Sequence, residues 1–143
     1  MKRIISFLML LAALLSVASC GRKISFDSDM DKVEKIGFNL VKSSQTEKDL
    51  SEATESFNSE IRFEGGKFEV EIIYYANFNK TVEDDYFSCQ FIEFDSEEQA
   101  ENYFNLYVES RLESGEYKLK IYENKIILTN SSEAMKALGG KFK

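Results

Sequence analysis

The acidic residues of this chain are the ones that could bind cations or act in acid–base catalysis. They are concentrated in three stretches, residues 27–31, 83–85 and 93–98. Carboxylate oxygens bind hard cations, and two carboxylates can share general acid and base work when burial raises the pKa of one of them. In the third stretch, Glu93 or Asp95 together with Glu97 or Glu98 fits such a pair. The same residues also fit the start of a helix, where acidic side chains stabilise the positive end of the helix dipole.

The first acidic stretch follows the Asp-x-Asp-x-Asp spacing that opens a calcium-binding EF-hand loop. Two positions disagree with that motif, because Lys32 replaces the glycine of the sixth position and Phe38 replaces the bidentate glutamate of the twelfth. Asp27 or Ser28 is better interpreted as a helix cap. The adjacent carboxylates at 83–85 fit a solvated turn. The sequence therefore predicts no metal and no cofactor.

Histidine is absent from the chain, and cysteine occurs only twice, as Cys20 and Cys89. Without histidine the common zinc and iron sites and the Ser-His-Asp hydrolases are excluded, and a thiol nucleophile lacks its usual base. Cys89 stands in an aromatic strand pattern, so we expect it to be buried and unreactive. The residue types therefore predict a protein that is not an enzyme.

The N-terminus has the order of a secretory signal. Lys2 and Arg3 precede an apolar run of about 15 residues, whereas a helix that spans a bilayer needs about 20. Val17-Ala18-Ser19-Cys20 resembles the lipobox of bacterial lipoproteins. The resemblance implies that residues 1–19 are a cleaved signal peptide and that Cys20 becomes the first mature residue, with lipid on its sulfur and palmitate among the acyl chains. An ordinary signal peptide cleaved near a cysteine is the alternative.

The resemblance also places the rest of the chain. Residues 20–26 would be a lipidated tether that reaches at most about 25 Å, so the body at 27–143, which we predict to be a single domain, would lie close to the outer face of the membrane in the cell envelope. Arg22 and Lys23 would either contact headgroups or only add solubility. Without Lys2 and Arg3, 16 basic residues face 25 acidic ones, and a net charge of −9 excludes nucleic acid as a partner.

Helical spacing is visible in two stretches before residue 60. Apolar residues at an approximate 3/4 spacing between Met30 and Val41 predict a first helix. Thr46, with an acidic residue three positions later, predicts the start of a second helix that is polar on most of its surface. After residue 59 the period changes to two, and the alternation at 61–63 before Gly65-Gly66 predicts a strand and a tight hairpin.

The remainder alternates between strands and helices. We predict strands at 68–76, 86–94, 117–122 and 125–129, turns at 77–85 and 123–124, and helices at 96–112 and 132–138, the last capped by Asn130 or Ser131. This order favours an α+β fold in which an antiparallel or mixed sheet of about four to five strands carries packed helices, two of them N-terminal. Residues 86–122 fit a split βαβ unit, and the strand order stays open.

The predicted strands are apolar on both faces. One face points toward helix 96–112 and comprises Phe68, Val70, Ile72, Phe87, Cys89, Phe91, Leu119 and Ile121. The other face comprises Ile73, Tyr75, Tyr86, Ile92, Tyr122 and Ile127. Because an antiparallel sheet that meets water is polar on that side, something must cover the second face. Either the two N-terminal helices cover it, or Ile73, Tyr75, Tyr86, Tyr122 and Ile127 bind a partner protein or an apolar ligand.

Two classes of function follow from these patterns. The first is a membrane-anchored, non-catalytic module that binds or assembles an envelope protein partner through the second sheet face or through an edge strand. The alternative is a hydrolase that uses the carboxylates of residues 93–98 on an envelope substrate. The lipobox and the missing histidine favour the first.

Overall fold

The computed structural model describes residues 26–111 and 116–143. Helices and strands alternate along this part of the chain, and the predicted α+β class is confirmed. The helices are α1 (Asp27–Lys35), α2 (Glu47–Phe63), α3 (Glu97–Arg111) and α4 (Ser132–Leu138). The strands are β1 (Asn39–Ser43), β2 (Ile72–Val82), β3 (Asp85–Phe94), β4 (Lys118–Tyr122) and β5 (Lys125–Thr129).

The strands form one five-stranded sheet in the order β1-β2-β3-β5-β4, and every neighbouring pair is antiparallel. Since β3 and β4 both pair antiparallel with β5, they run parallel to each other, with α3 as the crossover between them. This is the predicted split βαβ unit. The two-residue turn that brings β5 back between them places Glu123 in the left-handed region at φ 52°.

Helices cover the sheet on both sides, so the molecule has three layers. Under α2 and α3 lies one apolar core, formed by Phe57, Ile61, Ile72, Ile92, Phe94, Tyr103, Leu119 and Ile126 among others. Under α1 and α4 lies a second core, formed by Phe26, Val33, Phe38, Phe78, Cys89, Phe91, Ile127 and Leu138 among others. The second sheet face is therefore covered, but by the first and last helices rather than by the two N-terminal ones.

Helix α1 is shorter than predicted. Gly37, at φ +93°, ends it: its N–H donates to the carbonyl of Glu34, and the N–H of Phe38 donates to that of Val33. The predicted continuation through Val41 is wrong, because the chain turns at Gly37 and enters the edge strand β1. The predicted caps Asp27 and Ser28 are wrong as well, since the helix begins after Phe26 without a side-chain cap.

Helix α2 is longer than predicted. The expected start is confirmed, because Thr46 accepts a hydrogen bond from the Asp49 N–H and the Asp49 carboxylate accepts one from the Thr46 N–H. The predicted strand at 61–63 is helical instead. Gly65, at φ +81°, ends α2 with the same pair of backbone bonds that ends α1, so Gly65-Gly66 is a helix terminus and not a hairpin.

Strand β2 begins and ends later than predicted. Residues before Ile72 run beside α2, where the Asn58 amide donates to the Val70 carbonyl at 3.0 Å and accepts from its N–H at 2.8 Å. The predicted turn at 77–85 is mostly strand, and the chain reverses only at Glu83-Asp84. The polar residues of this stretch alternate with apolar ones at period two, which outweighs their turn propensity.

The elements after β3 agree with the prediction. Ser96 accepts a hydrogen bond from the Gln99 N–H at the start of α3, and Ser131 accepts one from the Ala134 N–H at the start of α4. The α3 residues Ala100, Tyr103, Phe104 and Tyr107 follow one another at helical spacing and form a buried apolar stripe.

Candidate functional site

The predicted binding residues do not form one surface. Ile127 is fully buried under α1 and α4, and Tyr122 lies on that same face, beside the Phe26 ring. Tyr75 belongs to the opposite core, under α2. Tyr86 and Ile73 are 54% and 41% exposed. The prediction of a single patch is therefore wrong.

A β-bulge explains the error. The β2–β3 register shifts between Ile72 and Tyr74, so Ile72 and Tyr75, rather than Ile72 and Tyr74, point to the same side. The predicted partners on β3 are consequently reversed. Phe87, Cys89 and Phe91 face α1 and α4, whereas Ile92 faces α2 and α3. The placement of Phe68, Val70, Ile72, Leu119 and Ile121 toward α3 is correct.

Beyond the reach of α2 and α3, the face that these helices cover becomes polar. The core under the two helices ends at Tyr75, Ile92 and Leu128. The next residues on that face of the sheet are amides and a hydroxyl: Asn77, Asn79, Ser88, Gln90 and Asn130. We call these five residues the amide face. Tyr86 follows Ser88 on the same side of β3.

Part of the amide face is joined by hydrogen bonds. The Asn130 Oδ1 accepts from the Ser88 N–H at 2.8 Å, and the Asn130 amide donates to the Tyr86 carbonyl at 3.1 Å. The Ser88 hydroxyl donates to the Asn77 Oδ1 at 3.0 Å. Within the described part of the chain, the Gln90 side chain makes no hydrogen bond, and the buried Oδ1 of Asn79 has no partner. Gln90 therefore keeps hydrogen-bonding capacity that the fold does not use, whereas the Asn79 oxygen is shielded from solvent.

A groove of about 340 Å³ between α2 and α3 opens beside the amide face. Its walls are aromatic and its lining includes Phe57, Glu60, Tyr75, Gln90, Tyr107 and Tyr117. The Phe57 ring lies 6.0 Å from that of Tyr75 and 5.3 Å from that of Tyr103. Gln90 belongs to both the groove and the amide face, so the two form one continuous site.

Tyr75, at the edge of this site, remains neutral at physiological pH. Burial raises the pKa of Tyr75, and the nearby phenols of Tyr86 and Tyr117 raise it further. The phenol of Tyr75 can donate as well as accept a hydrogen bond.

The acidic residues considered for hydrolysis have structural roles. The Glu93 carboxylate lies 3.1 Å from the ammonium of Lys125, which is only 6% exposed, and it also accepts from Asn124. Glu97 and Glu98 are exposed in the first turn of α3, where they stabilise the helix dipole. Asp95 is exposed, and its N–H donates to the Glu71 carbonyl. The hydrolase hypothesis stays a prediction.

Cys89 is fully buried, as predicted, but it lies under α1 and α4 and not on the face toward α3. Burial raises the pKa of its thiol to about 12, although a hydrogen bond with Thr129 opposes the shift. Since a thiolate and not a thiol is the nucleophile, this cysteine is unreactive near neutral pH.

Residues 26–111 and 116–143 contain no group of three or more acidic or cysteine side chains placed to hold a metal ion. Nor is any helix in these ranges long and apolar enough to cross a bilayer. Cys20, Arg22 and Lys23 lie outside the described residues. Comparison of the chain with protein families, with curated proteins and with solved structures finds no match.

The amide face is not visible in the sequence as long as residues 77–85 are interpreted as a turn. The signal that identifies it is the alternation of Asn77 and Asn79 with Phe78 and Lys80, which is a strand pattern with one polar face. Of the predicted binding residues, Tyr75 and Tyr86 belong to this site.

Proposed function

We propose that this protein is a lipid-anchored, extracytoplasmic module of the bacterial cell envelope that binds or assembles a partner without catalysing a reaction. The observation that carries the proposal is Val17-Ala18-Ser19-Cys20 after a short basic and apolar leader. Helix α1 begins at Asp27, seven positions after Cys20, so a lipid on Cys20 would hold the folded body within about 25 Å of the membrane.

A binding role is supported by the difference between the two faces of the sheet. The face under α1 and α4 is filled with aromatic side chains that contact one another, which stabilises the fold. The amide face is polar and half-buried and it borders an open groove, where tyrosines lie next to the Gln90 side chain, which makes no hydrogen bond within the described part of the chain. Convergent polar groups beside aromatic walls are typical of ligand sites.

The anchoring part of the proposal is tested by the two cysteines of the chain. Cys20→Ser in the full-length protein removes the only sulfur that a lipobox would modify, so we expect the protein to leave the membrane fraction. Cys89→Ala is the matched control, because it removes the other thiol and should leave fractionation unchanged. Mass spectrometry of the mature N-terminal peptide should find lipid on Cys20. A Cys20→Ser protein that still fractionates with membranes would contradict the proposal.

A further inference from the structure

The amide face carries no formal charge, although 30% of the residues in this chain are charged. Its five members are all neutral, and charged side chains occur only at its margins, where Lys42 pairs with Asn77 and Glu60 lines the groove. A site built to bind an anion or a cation would place an opposite charge at its centre. The ligand that fits this face is neutral and polar.

Its amides supply donors and acceptors together. Each carboxamide has two N–H donors and an oxygen that accepts, and the Gln90 side chain has all of them available within the described part of the chain. A ligand that matches such groups must itself both donate and accept hydrogen bonds. Hydroxyl groups do so, and a sugar presents several of them on one ring.

Aromatic rings stand at both ends of the amide face. Tyr86 lies at one end and is 54% exposed, while Tyr75 and Tyr117 mark the other end, where the groove begins. From Tyr86 to Gln90 the strand rises about 13 Å. This distance exceeds a single hexose ring. An aromatic ring attracts polarised C–H groups to its negative face, and sugars carry such groups on the side that lacks hydroxyls.

Other classes of ligand fit less well. A bound peptide strand would need a free backbone edge, but the edge strand β1 is only five residues long, is bulged between Leu40 and Lys42 and carries that lysine, all of which discourage pairing. A lipid chain would need a continuous apolar wall, whereas here the aromatic groove leads onto a polar surface of amides. Nucleic acid would be repelled by a chain of net charge −7.

We propose that the amide face, together with the tyrosine-lined groove between α2 and α3, binds a neutral glycan chain. In this arrangement the Gln90 and Asn77 amides bond to sugar hydroxyls, and Tyr86 packs against a sugar ring. The inference rests on the proposed function, because an anchored module outside the cytosol meets the polysaccharides of the envelope. The inference adds the chemical class of the partner, a neutral polysaccharide.

The test uses full-length protein in detergent micelles and an array of immobilised oligosaccharides. Neutral probes are chitohexaose, maltohexaose and cellohexaose, and charged probes are oligogalacturonate and deacetylated chitosan oligomers. We expect retention on at least one neutral chain and none on the charged ones. Gln90→Ala and Tyr86→Ala should each lower the affinity about tenfold, since each removes a group in direct contact.

Matched controls come from the same chain. Asn105→Ala removes an exposed amide from α3, and Phe63→Ala removes an aromatic ring that is 87% exposed at the end of α2. Neither residue belongs to the proposed site, so both variants should bind as the unchanged protein does. A titration of ¹⁵N-labelled protein with the retained glycan gives a readout without mutation, in which the side-chain amide signals of Asn77 and Gln90 should shift most.

Each outcome decides between the hypotheses. Binding to no neutral glycan, or equal binding by the Gln90→Ala, Tyr86→Ala and control proteins, would overturn the inference. So would a charged polymer or a peptide captured through these same residues. Anchoring is measured separately by the fractionation of Cys20→Ser. If the protein carries lipid but binds no glycan, only the glycan-binding inference is wrong. If it binds glycan but carries no lipid, the proposed anchored function is wrong.

Discussion

The two faces of the β2–β3 ladder use the same strands for opposite purposes. On one side, Ala76, Phe78, Cys89 and Phe91 are fully or almost fully buried beneath α1 and α4. On the other side, their immediate neighbours lie beyond the edge of the α2–α3 layer, where Asn77, Asn79 and Gln90 are half-buried and Ser88 is buried. Because side chains alternate along a strand, a single stretch encodes a structural face and a candidate binding face together.

The covered face is held by packing and by lysine side chains that reach the ends of its helices, among them Lys80 and Lys120. The Phe91 ring contacts those of Phe26 and Phe78 at centroid distances of 5.3 and 5.6 Å, both edge to face. The Lys80 ammonium donates to the Ile36 carbonyl at the end of α1 and to the Glu133 carboxylate at the start of α4. Lys80 thus joins both helices to the sheet, which nothing on the amide face does. The difference predicts that stability depends on one face and ligand binding on the other.

Phe91→Ala should give the largest loss of stability. The side chain is fully buried at the centre of the second core, so its removal leaves a cavity and should lower the free energy of unfolding by about 3–5 kcal/mol. Urea denaturation followed by circular dichroism measures the change. The control is Phe63→Ala, whose ring is exposed and whose loss should cost less than about 0.5 kcal/mol. Similar losses in the two variants would mean that α1 does not seal this face.

Alkaline pH should weaken the same face through Cys89. Burial raises the pKa of its thiol from 9.0 to about 12, so the unfolded chain releases this proton at lower pH than the folded protein. The contribution is complete below pH 9 and is lost as the pH rises toward 12, at up to about 1.4 kcal/mol per pH unit. Denaturation curves from pH 7.5 to 10.5 should therefore fall more steeply for the unchanged protein than for Cys89→Ala. Parallel curves would show that the thiol is not buried.

Lys80→Ala should detach α1 and α4 from the sheet. The substitution leaves the Ile36 carbonyl and the Glu133 carboxylate without this partner, which should lower the free energy of unfolding by about 2 kcal/mol. The control is Lys48→Ala, because the Lys48–Glu52 pair is exposed at 3.8 Å and should contribute less than about 0.5 kcal/mol. Hydrogen exchange should also become faster in α1 and α4 than in α2. Uniformly faster exchange would show that the lysine does not act on these two helices.

The sequence predicts those parts of the fold that depend on neighbouring residues. Thr46 and Ser131 cap helices through residues three positions later, and the apolar stripe on α3 repeats within one helix, so local spacing is sufficient to predict them. Gly37 and Gly65 are harder, because a glycine pattern fits either a hairpin or the end of a helix. Only the packing of the preceding helix decides between these two.

Features that depend on strand pairing cannot be predicted from local sequence patterns. The bulge between Ile72 and Tyr74 moves every later residue of β2 to the opposite face, and no local pattern marks it. This one shift explains why Tyr75 and Ile127, expected on one patch, lie on different faces. The amide face was missed for a related reason, since asparagine favours turns unless a partner strand holds it extended.

Gln90→Ala should have the smallest effect on stability and therefore tests the comparison most sharply. Its amide makes no hydrogen bond within the described chain, so the free energy of unfolding should change by less than about 0.5 kcal/mol. Asn58→Ala is the matched contrast, because its buried amide bonds both backbone groups of Val70 and its loss should cost about 1–3 kcal/mol. Thermal unfolding of the two variants measures the difference. If Gln90→Ala were as destabilised as Asn58→Ala, the amide would be part of the structural core, and a polar side chain that the fold needs would be no sign of a ligand.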